Sequence, residues 1–372
     1  MEQFTKEQFC DYVKDHVLGF LPPSFEGAEI ELKVITKAND IKLTGMLIRR
    51  EGEAIVPNIY LESYYDKYKS GEDLDKLVGD VADTRIEYNR DSISISPEML
   101  KDYEFVRPYL QIRLCDPETN KDRLSGLVST PVGDYAATYI VKLENETENL
   151  GTLSVTPELM EIWGVTAEEL HADALAADVA RTPALNSVTD LLMEYRDGSK
   201  AANLLKGETP KNVNPFAFLG GEIPTFDSSS ALALYCLSVD DKAYGASLLA
   251  NESILQQVGE ALGENYFVLP SSIHKLMIVP ESNGASAADL VDMVTSINET
   301  EVLPEEVLSN KVHYYDRETG VLVNAVKREK DLETKRDAER PSLSEQLSQK
   351  KEEVRNRPPK PSHVKPRDEV SL

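Results

Sequence analysis

Pro270-Ser271-Ser272-Ile273-His274 is the segment of this 372-residue chain whose residue types come nearest to chemistry. A serine hydroxyl and an imidazole a few positions apart can act as nucleophile and general base when folding brings them within hydrogen-bond reach. Ser271, Ser272 and His274 are therefore the catalytic candidates, and the reaction they could support is hydrolysis through a Ser-His pair. Against this stands the lack of a G-x-S-x-G elbow and of an identifiable carboxylate to orient the ring. Serines followed by a polar residue also make an ordinary turn between strands, which is the better reading of the segment. Asp227-Ser228-Ser229-Ser230 reads in the same way, as a cap or turn before the apolar run that starts at Ala231.

The metal and cofactor motifs are missing. His16, His171, His274, His313 and His363 are scattered along the chain. His171 lies one helical turn from Glu168, but no second histidine stands at i+4 to complete a zinc-binding pair. Cys10, Cys115 and Cys236 are far apart and embedded in apolar segments, so they read as buried free thiols of a reducing compartment. The acidic groups at Glu72, Asp73, Asp75 and Asp80, and from Glu144 to Glu148, lack the D-x-D-x-D-G pattern of a calcium loop and read as solvated faces. Gly220-Gly221 precedes Glu222-Ile223-Pro224 rather than a helix, and no phosphate-binding glycine motif sits at a strand end. No cofactor and no metal are expected. Trp163, the sole tryptophan, ends a predicted helix before Gly164, where it packs on the next helix or anchors a partner peptide. Tyr64, Tyr65 and Tyr68 share one helix face as packing residues.

Charge bounds the function classes. With 40 basic and 65 acidic residues the formal net charge is -25. Such a chain repels phosphate backbones and anionic lipid surfaces, so residues 1–330 are expected neither to bind nucleic acid directly nor to attach to a membrane. The start, MEQFTKEQF, has no secretory pattern, and no apolar run is long enough to span a bilayer, which together suggest a cytoplasmic protein. The deficit is uneven. Residues 331–372 hold ten basic against nine acidic side chains, five prolines and no aromatic residue, which predicts a mostly disordered tail. Inside it, Ser342 to Arg355 carries a capping-box pattern and Leu343, Leu347 and Val354 at near-helical spacing, a candidate docking peptide for a partner groove.

These residues need a scaffold. A capped helix is predicted after Thr5, with Gln8 three residues on and Phe9, Tyr12, Val13 and Val17 on one face. A three-stranded antiparallel meander follows over about 28–61, in which Ile30, Leu32 and Val34 alternate with charged residues. Helices are expected at 62–69 and 72–88, strands at 109–114, 135–143 and 152–155, and helices from Pro157, Ala167 and Ser187. The stretch 197–215 is the best internal boundary. It divides the chain into an α+β domain at 1–196, a second at 216–330 and the tail at 331–372. Beyond it come a strand at 231–239, a helix at 248–262, strands at 266–270 and 275–280, a helix at 287–298 and a closing hairpin at 312–326. The fold class is α+β, mainly antiparallel sheets with helices packed on them. The order of elements at 135–196 loosely echoes that at 231–298, which suggests an internal duplication.

Four segments carry a resemblance: ELKVITKANDIKLTGMLIRREGEAIVPNIYLESYYDKYKSG, LSVTPELMEIWGVTAEELHADAL, GASLLANESILQQVGEALGENYFVLPSSIHKLMIVP and EVLPEEVLSNKVHYYDRETG. In that order, over about residues 1–328, the chain resembles an uncharacterised family of clostridial gut anaerobes. The resemblance implies no activity, cofactor or catalytic residue. It implies a cytoplasmic accessory protein, sometimes encoded near mobile elements, and ERPSLSEQLSQKKEEVRNR is similar to C-terminal segments of other proteins of such elements. The expected function is a non-enzymatic interaction protein with a protein partner. The alternatives are the Ser-His hydrolase and an acidic mimic of nucleic acid that inhibits a DNA-binding protein.

Overall fold

The computed structural model describes residues 3–53, 56–90, 96–143, 151–210 and 233–339. Helix α1 (Lys6–His16) opens on the expected capping box, in which Thr5 and Gln8 each satisfy a backbone amide of the first turn. Phe9, Val13 and Val17, at helical spacing, are fully buried. An antiparallel meander follows, β1 (Glu29–Thr36), β2 (Lys42–Arg49) and β3 (Ile59–Tyr60). Its apolar face meets α1 and two further helices, α2 (Glu62–Lys69) and α3 (Leu74–Arg90). Val34, predicted on that face, is 65% exposed. Its partner across the sheet is Thr44, and the apolar cluster ends two pairs earlier, at Leu32 and Met46. Arg85 of α3 is buried here. Its Nε donates to the Ile48 carbonyl at 2.9 Å, its Nη2 reaches both Glu53 oxygens, and the guanidinium lies 4.9 Å from the Phe25 ring centre.

The chain then builds a second sheet. Short helices α4 (Pro97–Leu100) and α5 (Tyr103–Val106) lead into β4 (Leu110–Cys115), α6 (Lys121–Leu124), β5 (Ser129–Val132), β6 (Tyr135–Leu143) and β7 (Gly151–Ser154). All nine residues of β6 are buried. β4 pairs along one edge of it, while β5 and β7 share the other edge. The sequence pattern does not show β5, because four residues that include Pro131 carry almost no periodicity; an available edge of β6 makes them a strand.

Helices α7 (Pro157–Trp163) and α8 (Ala167–Ala180) follow, separated by Gly164 in a left-handed conformation. Val179 is 45% exposed, because the buried stripe of α8 runs through Leu170, Ala174 and Asp178 at intervals of four. A third sheet is made by β8 (Ala184–Ser187), β9 (Tyr235–Ser238), β10 (Tyr266–Ser272), β11 (Lys275–Pro280), β12 (His313–Asp316) and β13 (Val321–Asn324). Its order is β13-β12-β10-β11-β9-β8, and every pairing is antiparallel. Helices α9 (Val188–Asp197), α10 (Glu252–Leu262) and α11 (Ala287–Thr300) are spaced along this part of the chain. β8 lies upstream of the 197–215 stretch and its five sheet partners lie downstream. One apolar cluster joins the two larger sheets through Tyr139, Val141, Leu170, Leu237, Val268 and Ile278. The run 135–196 is divided between both sheets, whereas the strands of 231–298 all lie in the third.

Met1–Ala325 forms one compact unit and Val326–Leu372 a second. Helix α12 (Ala325–Glu339) carries the beginning of the second unit, so residues 331–339 are helical where composition predicts disorder. Alanine, lysine, arginine and glutamate favour the helix without apolar burial, which the compositional argument does not weigh. Leu343, Leu347 and the rest of 340–372 lie outside the described residues.

Candidate functional site

The predicted Ser-His segment is the end of β10 and the turn into β11. Ser271 and Ser272 are buried, and His274 is half-buried. A register shift between Leu269 and Ser272 breaks the regular pairing with β11. Pairing with β11 resumes at Ser272 and Lys275, and the same end of β10 also bonds with residues 306–309, where Ser272 bridges to Val307. The Ile273 amide donates to the Glu306 carbonyl at 2.9 Å, and the amides of Leu308 and Ser309 donate to Ser271 and Pro270 at 3.1 Å. This ladder places the Glu306 carboxylate 3.4 Å from Nε2 of His274. On the other side of the ring, Nδ1 accepts the backbone amide of Tyr244 at 3.2 Å. The neutral ring therefore carries its proton on Nε2, facing Glu306. Gly245 fits against the same turn, since its amide donates to the His274 carbonyl at 3.0 Å.

Burial pushes the His274 ring below its ordinary pKa. Glu306 opposes this, and the positive charges of Arg113 and Lys275 add to it. The orienting carboxylate that the sequence does not reveal is thus present, but the hydroxyl is not joined to the ring. Ser272 Oγ accepts the His274 backbone amide at 3.1 Å, which is the local bond of a serine turn. Nδ1, the nitrogen with a lone pair to give, is already engaged by an amide. Glu306, Tyr244 and Arg113 escaped the sequence reading because no spacing rule links positions so far apart.

The remaining candidates are dispersed. His171 Nδ1 contacts the Tyr139 hydroxyl at 2.9 Å, His313 Nε2 faces Asp134 at 3.2 Å, and His16 stacks on Tyr12. Among the described residues no group of three or more His, Cys, Asp or Glu is placed to hold a metal. Lys76 pairs with both Glu72 and Asp80 on the exposed face of α3. Cys10, Cys115 and Cys236 are free and buried, and burial pushes the Cys115 thiol up to about 11. Trp163 is buried. Its indole N–H donates to the Leu100 carbonyl at 2.9 Å and its ring packs against Tyr103. Tyr65 and Tyr68 pack on Phe9, and the Tyr64 hydroxyl contacts Thr84. Among the described residues no helix is long and apolar enough to cross a membrane. Glu144 to Glu148, Gly220-Gly221, Asp227 to Ser230 and His363 lie outside the described residues.

Residues 6–317 match a family of unknown function, DUF5688. The chain belongs to this family. The DUF5688 match takes in all three sheets almost entire, from α1 to the end of β12, and with them the His274 turn. Neither the curated proteins nor the solved structures hold a significant match to the chain.

Proposed function

We propose that the chain is a non-enzymatic accessory protein of the cytoplasm that acts by binding a protein partner. The observation that carries this reading is the state of His274. Its Nδ1 is engaged by the Tyr244 amide and its Nε2 faces Glu306, while the Ser272 hydroxyl bonds to backbone. A serine without a base at its hydroxyl is a weak nucleophile. The excess of 65 acidic over 40 basic residues supports a partner with a basic face, and an accessory role beside mobile elements accords with that.

A fluorophosphonate probe, which labels only activated serines, tests the first half. Full-length protein is expected to stay unlabelled, and labelling of Ser271 or Ser272 that His274→Ala abolishes would establish the hydrolase instead. Affinity capture with full-length protein and with a 1–330 truncation tests the second. Loss of partners on truncation assigns docking to the tail, and an unchanged set assigns it to the body.

A further inference from the structure

In a chain with 65 acidic residues, arginines are expected to find carboxylates. Arg113 of β4 and Arg123 of α6 do not. Among the described residues neither has an ion pair, and Nε of Arg113 and Nη1 of Arg123 are buried without any hydrogen-bond partner. Buried guanidinium N–H groups left in this state are costly. The two side chains are also near one another. Burial and then the charge of Arg113 push Arg123 down to about 10. The Arg113 guanidinium lies 5.4 Å from the Tyr244 ring centre, and Tyr244 is also among the groups that influence Arg123.

The nearby carboxylates are committed elsewhere. Asp40 accepts the backbone amides of Asp122 and Arg123 at 3.0 and 2.9 Å. Asp116 pairs with Lys311 at 2.8 Å, and Glu306 faces His274. Both arginines are only half-buried, so each side chain keeps part of its surface in solvent. Asp40 serves a second purpose, since its bonds to the start of α6 hold Arg123 in place from the meander side.

We propose that Arg113 and Arg123 form a binding site for a phosphate group carried by a small molecule. Two guanidinium forks present unsatisfied donors from two different elements, β4 and α6. A planar carboxylate is satisfied by one fork, whereas a tetrahedral dianion offers oxygens to both and balances two positive charges. The Tyr244 ring, tilted against His274 at 5.4 Å between centres, is the surface beside the site on which the rest of the ligand would lie.

Calorimetric titration of the full-length protein at low salt is the test, with inorganic phosphate, a phosphomonoester and succinate as separate probes. One site per chain is expected for phosphate, with the monoester equal or tighter and succinate at least about tenfold weaker. Arg113→Gln and Arg123→Gln are each expected to weaken phosphate binding at least about tenfold, and the double variant to abolish it. Arg107→Gln, at an exposed arginine paired with Glu104, should leave binding unchanged. Thermal melts separate this role from a structural one. Without ligand the double variant should melt no lower than wild type, because it removes two uncompensated charges, and it should lose the phosphate-induced rise in melting temperature. No phosphate binding by wild type, succinate binding as tight as phosphate, or a folded double variant that binds like wild type overturns the proposal.

Discussion

At His313 the ring is buried and its proton affinity falls for that reason, with Asp134 opposing the fall. Burial likewise lowers His171, and it is the largest cause at His274. All three titrate below the ordinary value near 6.5. The unfolded chain then takes up protons that the folded chain resists. Stability is therefore complete above about pH 6.5 and is lost as pH falls from there through the lowered folded values. The melting temperature is expected to drop between about pH 7 and about pH 5.5, and His313→Gln to flatten that slope. An identical slope in the variant would exclude His313 as a contributor. Residue types alone mark His274 and its serines as chemically interesting. What they cannot show is that Tyr244 and Glu306 occupy the two ring nitrogens, because that depends on which loops pack together.

Elements with strong local signals are legible in advance. The predicted capping box at Thr5 is present, and β6 runs over the predicted residues, Tyr135 to Leu143. Short elements are not. β5 and β8 are four residues each, and pairing with a neighbour defines them, not their own pattern. The His274 turn shows how tightly such pieces meet. A Cβ on Gly245 would lie 2.7 Å from the His274 carbonyl oxygen and 3.1 Å from the Ser238 Cα, both backbone atoms that cannot swing aside. Gly245→Ala is expected to destabilise the fold by about 2 kcal/mol in urea titrations. A change below about 0.5 kcal/mol would show that the turn can shift.

On the scale of the whole molecule, Asn39 fastens the meander to the rest of the first unit. It adopts φ 58°. Its amide Nδ2 donates to the carbonyls of Pro304 and Val307 at 2.7 and 2.9 Å, while its Oδ1 accepts from Thr119 and Asn120. Asn39→Ala removes all four bonds and places alanine in a backbone region that asparagine tolerates better. Trp163, the sole tryptophan, lies in the larger apolar cluster and not in that of the meander. Urea unfolding of wild type is expected to give coincident fluorescence and far-UV circular dichroism transitions, and Asn39→Ala to separate them. Coincident curves in the variant would mean that the rest of the interface suffices.

Local spacing by itself determined the helix starts, the alternation of the meander, its antiparallel sense and the acid excess of 65 over 40. Each of these depends on neighbours within a few positions or on a count. Only the tertiary structure decided that β8 joins β9 across the 197–215 stretch, that Glu306 faces His274, and that Arg113 and Arg123 meet without a carboxylate. Such encounters close loops of ten to 54 residues. Their entropy cost rises only slowly with length, so burial of the shared core, and no local rule, selects among them.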